Sequence, residues 1–244
     1  LPEETMPRKN RSHPSAPLSE VAYQRIKDMI ITVRLRPGDQ IDEARLADEL
    51  SIGRTPIRES LFRLAAEGLI QVRPGRGFLV REVTLSDLKD LFETLLILER
   101  SAAALAARRI RPEQIGTLRK INADFEKVWR KKDFLGVTLQ NSRFHRALYD
   151  ATDNRFLKSY LDSLQNQSQR LAYLCFSRQD AAMDLESHGV HSIKDHERLI
   201  AGLERRDEGE AVRIVTEHIK LFQRRIHQFA VPSEVDMDLI ILRE

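Results

Sequence analysis

The sequence predicts a mainly α-helical protein in two parts, an N-terminal winged helix-turn-helix followed by an all-helical bundle. Three observations carry this. The stretch Gly53-Arg54-Thr55-Pro56-Ile57-Arg58-Glu59-Ser60-Leu61 reads as the start of a helix with two arginines at its mouth. The stretch from Gln71 to Val80, with Pro74, Gly75 and Gly77 at its middle, reads as a basic two-stranded wing. From Leu85 onward nearly every segment has helical period and no segment reads as a convincing strand. At 244 residues the chain exceeds the usual single-domain size. The boundaries that follow are a flexible arm over 1–17, a winged helix-turn-helix over 18–82, a helical domain over 83–231 and a tail over 232–244.

The arm contains four prolines and almost no periodic apolar pattern, and its Arg8, Lys9 and Arg11 are free to touch a polyanion. Val21, Ile26, Met29, Ile30 and Val33 supply a first helix, and Ala44, Leu46, Ala47 and Leu50 a second short one before a turn at Ser51-Ile52-Gly53. In the third helix, Thr55 is expected to cap and Pro56 to take the first helical position, where its missing N–H costs nothing. Ile57, Leu61, Leu64 and Ala65 then form an inward stripe, while Arg54 and Arg58 point elsewhere. Three helices and a hairpin of this kind fit the major and minor grooves of DNA together. The competing reading makes the two arginines ordinary solvated charges.

Charge supports the first reading. Residues 1–81 carry 14 Lys+Arg against 11 Asp+Glu, whereas the remainder is balanced at 26 against 26, so the net charge of +3 lies in the N-terminal part. The single cysteine, Cys175, excludes an internal disulfide and suits a reducing compartment. With no apolar run long enough to span a bilayer and no signal-peptide core, a cytoplasmic protein with no membrane partner is expected.

In the second part, helix breaks are expected at Arg111-Pro112, Lys132-Asp133, Asp153-Asn154, Gly189 and Arg206-Asp207. The segment Leu85 to Arg109 is apolar around most of its circumference and must be covered on more than one side. A second subunit can supply one cover, which predicts a homodimer; a central helix within one chain is the alternative. Asn141 and His145 lie four residues apart on one helix face, His196 falls on the next-but-one helix, and His218 on the last long helix. Side chains from three facing helices can converge on one ion. Three imidazoles suit a divalent metal, zinc first, with nickel or another first-row cation possible, and the Asn141 amide can add a weak neutral ligand. The plainer reading leaves these histidines as unrelated surface or core residues.

The stretch Leu46-Ala-Asp-Glu-Leu-Ser-Ile-Gly53-Arg-Thr-Pro-Ile-Arg58-Glu-Ser-Leu61-Phe-Arg-Leu64-Ala-Ala-Glu-Gly68-Leu69 resembles the signature of the GntR superfamily of bacterial transcription regulators. The helical second part, opening with Leu96-Ile-Leu-Glu99-Arg-Ser-Ala-Ala-Ala-Leu-Ala, looks like the FadR-like branch with its effector-binding FCD domain. The resemblance implies that Arg54, Thr55 and Arg58 contact operator DNA and that Arg76 and Gly77 form a wing tip in the minor groove. Gly53 stands where the family usually has serine, and Ala44 where some members have an arginine, with Arg45 beside it as a replacement. It further implies that Asn141, His145, His196 and His218 occupy the positions of a metal site whose first member is usually aspartate. Leu95 stands where many members use an arginine to hold an effector carboxylate, so the effector is either not a simple carboxylic acid or is held by another cation. On the helix around Phe156 to Phe176, Gln167 and Arg170 can face the effector pocket or the surface.

The resemblance therefore implies a dimeric, ligand-responsive regulator, most often a repressor, that binds a palindromic operator and is switched by a small molecule. Two alternatives stand beside it. A constitutive DNA-binding protein would use the helical part only to dimerise. A metal-dependent hydrolase would need a carboxylate base, and Glu197 and Glu217 each adjoin a histidine in sequence, so they point roughly 100° away around their helices.

Overall fold

The computed structural model of the chain describes residues 16–177 and 185–230. The tail at 232–244 and all but the last two residues of the arm lie outside them. The described elements run α1 (Leu18–Ile31), β1 (Gln40–Ile41), α2 (Glu43–Leu50), α3 (Arg54–Ala66), β2 (Ile70–Arg73), β3 (Gly77–Val80), α4 (Leu85–Arg109), α5 (Pro112–Arg130), α6 (Phe134–Asp150), α7 (Arg155–Ser177), α8 (Leu185–Glu204) and α9 (Glu208–Ala230).

The N-terminal elements close around one core in which Ile26 and Ile30 of α1, Leu46 of α2, Ile57, Leu61 and Leu64 of α3 and Phe78 and Val80 of β3 are all buried. Asp42 caps α2 by accepting from the amides of Ala44 and Arg45. Ser51, in the left-handed region at φ 53°, ends α2 and turns the chain into α3. The wing pairs Gln71 with Leu79 and Arg73 with Gly77 in antiparallel register. A third short strand, β1, was not anticipated; it adds to the other edge of β3, giving the order β1-β3-β2. Two residues of strand carry too little periodicity to be read from sequence.

The start of α3 also differs from expectation. The cap position is Gly53, no side chain caps the helix, and Thr55 and Pro56 fall within its first turn. The Thr55 hydroxyl is therefore not spent on the backbone, and the proline still replaces an amide that the helix leaves unpaired.

The second core is larger and is built from α4 to α9. Thr84 and Asp87 form a reciprocal capping box at the start of α4. This helix packs on α9, α7, α8 and α6 at once. Leu88, Leu91, Phe92, Leu95, Ala102, Ala103, Ala106 and Ala107 are all buried within the single chain. The apolar circumference of α4 is thus covered mainly by the chain's own helices, as a central helix would be, and among its described side chains only Ile97, 60% exposed, remains as a large apolar residue pointing out.

Gly189 does not break a helix. It lies inside α8, and a Cβ there would collide with the indole of Trp129 on α5. The glycine serves close packing between helices, a demand that local sequence cannot reveal.

The two cores meet along α7. Lys27 of α1 donates to Asn166 of α7 at 2.7 Å. Gln167 Nε2 donates to the Gly68 carbonyl at 2.6 Å, and Arg170 Nη1 to the Arg81 carbonyl at 2.7 Å. Val33, just past α1, is held at φ 59° while its side chain packs against the second core. A β-branched residue in the left-handed region costs about 1–3 kcal/mol, which the contact must offset.

Candidate functional site

Two regions gather the residue types that sequence singles out. The first is an open groove of about 910 Å³ between α3 and the wing. Arg54, Thr55 and Arg58 from the first turns of α3 line it, together with Arg76 and Gly77 from the wing and Ala44 from α2. Gly75 and Gly77, at φ 74° and 72°, let the hairpin reverse between Arg73 and Gly77. The Arg58 side chain is 62% exposed, and its guanidinium stands 3.7 Å from Glu43 and lies over the ring of Phe62. Glu43 therefore orients Arg58 without burying it. Arg45 is not part of this surface; it borders a neighbouring depression with Arg34, Asp42 and Glu49. Arg63, also on α3, is committed to the fold, donating to Glu20 at 2.6 Å and lying 3.6 Å above the ring of Tyr23.

The second region lies inside the helical bundle. His145 of α6, His196 of α8 and His218 of α9 present ligand atoms that all lie within 4.8 Å of one another. His145 is 5% and His196 2% exposed. Nε2 of His196 is buried without a hydrogen-bond partner, while the buried Nδ1 atoms of His145 and His218 each face a carboxylate without a well-formed hydrogen bond. Buried polar atoms are seldom left so, and three converging imidazoles fit a divalent cation. Burial, with His218 and His145 beside it, pushes the His196 imidazole well below its ordinary pKa, which keeps the ring in the neutral form that binds metals. Asn141 is half-buried, one helical turn before His145.

Around the rings stands a second layer that sequence reasoning did not identify. Glu99 of α4 is 2% exposed and brings Oε2 to 3.2 Å from His145 Nδ1, while Tyr149 donates to its other oxygen. The Asn122 carboxamide oxygen is 3.0 Å from His196 Nδ1, and Asp195 stands 3.5 Å from His218 Nδ1. Phe144 stacks on the His196 ring at 3.8 Å. The signal that could have found Glu99 is an acidic residue set between the apolar runs 95–98 and 102–107.

Leu95 is 3% exposed and belongs to the bundle core, four residues before Glu99. Gln167 and Arg170 serve elsewhere: their bonds run to backbone carbonyls of the N-terminal part, at Gly68 and Arg81. Both lie on the stretch of α7 that bonds to that part, and Gln167 also borders a cleft with Arg81, Leu91 and Leu171. Arg170 is only 1% exposed, and burial, with Arg81 nearby, lowers its pKa to about 10.

The chain's similarities agree with this division. Residues 18–80 match the family described as "Bacterial regulatory proteins, gntR family", and residues 90–221 match the "FCD domain". The Nta operon transcriptional regulator of Aminobacter aminovorans is 30% identical over 79% of this chain and 86% of its own length. The HTH-type transcriptional repressor RspR of Escherichia coli is 23% identical over 88% of this chain and 92% of its own. The solved structure of E. coli McbR/YncC has the same fold, with a TM-score of 0.75 over 88% of this chain and 99% of that one at 22% identity. No helix among the described residues is long and apolar enough to cross a membrane.

Proposed function

We propose, from the premise that this chain belongs to the GntR family of bacterial regulatory proteins and carries an FCD domain, that it is a metal-holding, ligand-switched repressor acting as a homodimer on a palindromic operator. Membership already makes it a DNA-binding transcriptional regulator with an effector domain rather than an enzyme. The DNA-reading part is residues 18–82 and the effector part residues 83–231. The observation that carries the finer reading is the triangle of imidazoles on three helices of the effector domain, with ligand atoms within 4.8 Å of one another and a partnerless Nε2 on His196.

His145, His196 and His218 would hold the ion, zinc before nickel or another first-row cation, with the Asn141 amide as a neutral fourth donor. A bound divalent ion supplies a Lewis-acidic position to which an oxygen of a small metabolite can attach. Glu99, Asn122 and Asp195 fix the orientations of the three rings. Leu95 leaves the pocket without an arginine at that position, which favours an effector held by the metal and neutral groups. In the groove, Arg54 and Arg58 reach base edges or phosphates from the major groove, Thr55 offers an unspent hydroxyl, and Arg76 and Gly77 bring the wing to the minor groove. Arg45 contributes through backbone phosphates.

Dimerisation is supported by Ile97 of α4 and by Phe156 and Tyr160 of α7, which remain 60%, 64% and 67% exposed on two helices that pack together. The repressor reading rests on the named activity of RspR.

Metal analysis of protein purified without chelator or nickel resin tests the site. About one equivalent of metal per chain is expected, falling in His196→Ala; metal-free wild type, or unchanged content in the variant, overturns it.

A further inference from the structure

We propose that Asn166 is the coupling residue through which the histidine-bearing helix α6 controls the recognition helix α3, its single carboxamide being shared among Arg146, Lys27 and Glu67. This rests on reading the bundle as a metal-holding switch.

Asn166 is 3% exposed and fully engaged. Its oxygen accepts from Arg146 Nη2 at 2.6 Å and from Lys27 Nζ at 2.7 Å, and its Nδ2 donates to Glu67 Oε2 at 2.8 Å. Each partner belongs to a different element. Arg146 follows His145 on α6, so the two side chains diverge by roughly 100°. One meets the histidine cluster and the other meets α7, where Arg146 also pairs with Asp162 at 2.9 Å. Glu67 is the C-terminal cap residue of α3, and its carboxylate also accepts from the Tyr23 hydroxyl and faces Arg63 Nε at 3.5 Å. A shift of α6 on taking up an ion therefore reaches the end of α3 through the linked side chains of Arg146, Asn166 and Glu67.

The seam also has a second arrangement available. Lys27 Nζ and Glu67 Oε2 already form a loose ion pair at 3.8 Å, so withdrawal of Asn166 with α7 lets them close to hydrogen-bond distance inside the DNA-binding domain. Two discrete pairings, rather than a continuous stretch, are what a switch needs. Lys27 is 7% exposed, and burial lowers its pKa to about 8, the mark of an ammonium that needs partners in either state. Gln167 and Arg170 dock the same helix onto backbone carbonyls and have no bond to α6. They hold the domains together without reporting on the cluster.

The test uses the full chain and an operator duplex selected from a random-sequence pool. Fluorescence anisotropy measures operator affinity with zinc and with chelator, and a competition titration measures zinc affinity separately. Wild type is expected to change operator affinity by at least about fivefold between the two conditions. Asn166→Ala and Arg146→Gln should bring that ratio within about twofold of unity while zinc affinity stays as in wild type, and Gln167→Ala should keep the wild-type ratio. Arg146→Gln leaves the Lys27–Asn166–Glu67 bonds in place, so it stands in if Asn166→Ala folds poorly. A full zinc response in Arg146→Gln, or an equal loss in Gln167→Ala, overturns the coupling role and leaves the metal site standing. A wild type that binds zinc but shows no change in operator affinity overturns the coupling. One that binds no zinc overturns the metal reading and the coupling with it.

Discussion

Glu99 faces His145 across the bundle interior, its Oε2 3.2 Å from the ring Nδ1, on a helix that otherwise presents leucine, alanine and Phe92 to the core. Burial pushes this carboxyl up, but His145, Tyr149 and His218 together outweigh that and leave its pKa below the ordinary value, so it stays a carboxylate. Such a group orients a metal-ligating ring and raises its basicity. Glu99→Gln is therefore expected to weaken zinc retention by about 10–100-fold, read by competition with a chromophoric chelator. Unchanged affinity would remove Glu99 from the metal's surroundings.

Arg58 and Arg63 sit on the same helix with opposite commitments. Arg58 stands in the groove with its guanidinium largely exposed, while Arg63 is tied to Glu20 and Tyr23. Arg58→Ala should cost roughly 1–3 kcal/mol of discrimination at one base in each half-site. Arg63→Ala should lower thermal stability and leave base preference intact. Binding to a panel of single-base operator variants separates the two, and equal loss of preference in both would refute the assignment.

Trp129 packs onto α8 where Gly189 has no side chain. Gly189→Ala places a methyl within the indole, and overpacking of this kind costs about 1–3 kcal/mol. A urea melt showing no loss of stability would mean that the two helices separate easily there.

Lys27 gives the seam a pH signature. Between about pH 8 and the ordinary lysine value near 10.5 the unfolded chain holds a proton on this residue that the folded chain has lost. Stability contributed at this position therefore rises with pH across that window, by up to about 1.4 kcal/mol per unit. Urea unfolding of wild type and Lys27→Gln at pH 7, 8.5 and 10 should show the difference moving in favour of wild type as pH increases. A constant difference would show that the ammonium is not buried.

The exposed pair on α7, Phe156 and Tyr160, lies one helical turn apart. Tyr160→Asp should convert the proposed dimer into a monomer in sedimentation velocity. A variant that sediments as wild type, or a wild type already monomeric at working concentration, would shift the interface elsewhere.

Local pattern alone determined the helix-turn-helix, the wing and the helical character of the second part, because apolar period, turn residues and the placement of Arg54 and Arg58 are properties of neighbouring positions, whereas the histidines stood out as a metal set mainly through the family resemblance. Tertiary structure decided what distant positions do to one another. It brought His145, His196 and His218 together, set Glu99 against one of them, and covered α4 with the chain's own helices. It turned Gln167 and Arg170 toward the DNA-binding domain and made Gly189 a packing residue instead of a helix break. A helix face records that it will be buried, but its partner is fixed only when many weak contacts across the fold are satisfied at once.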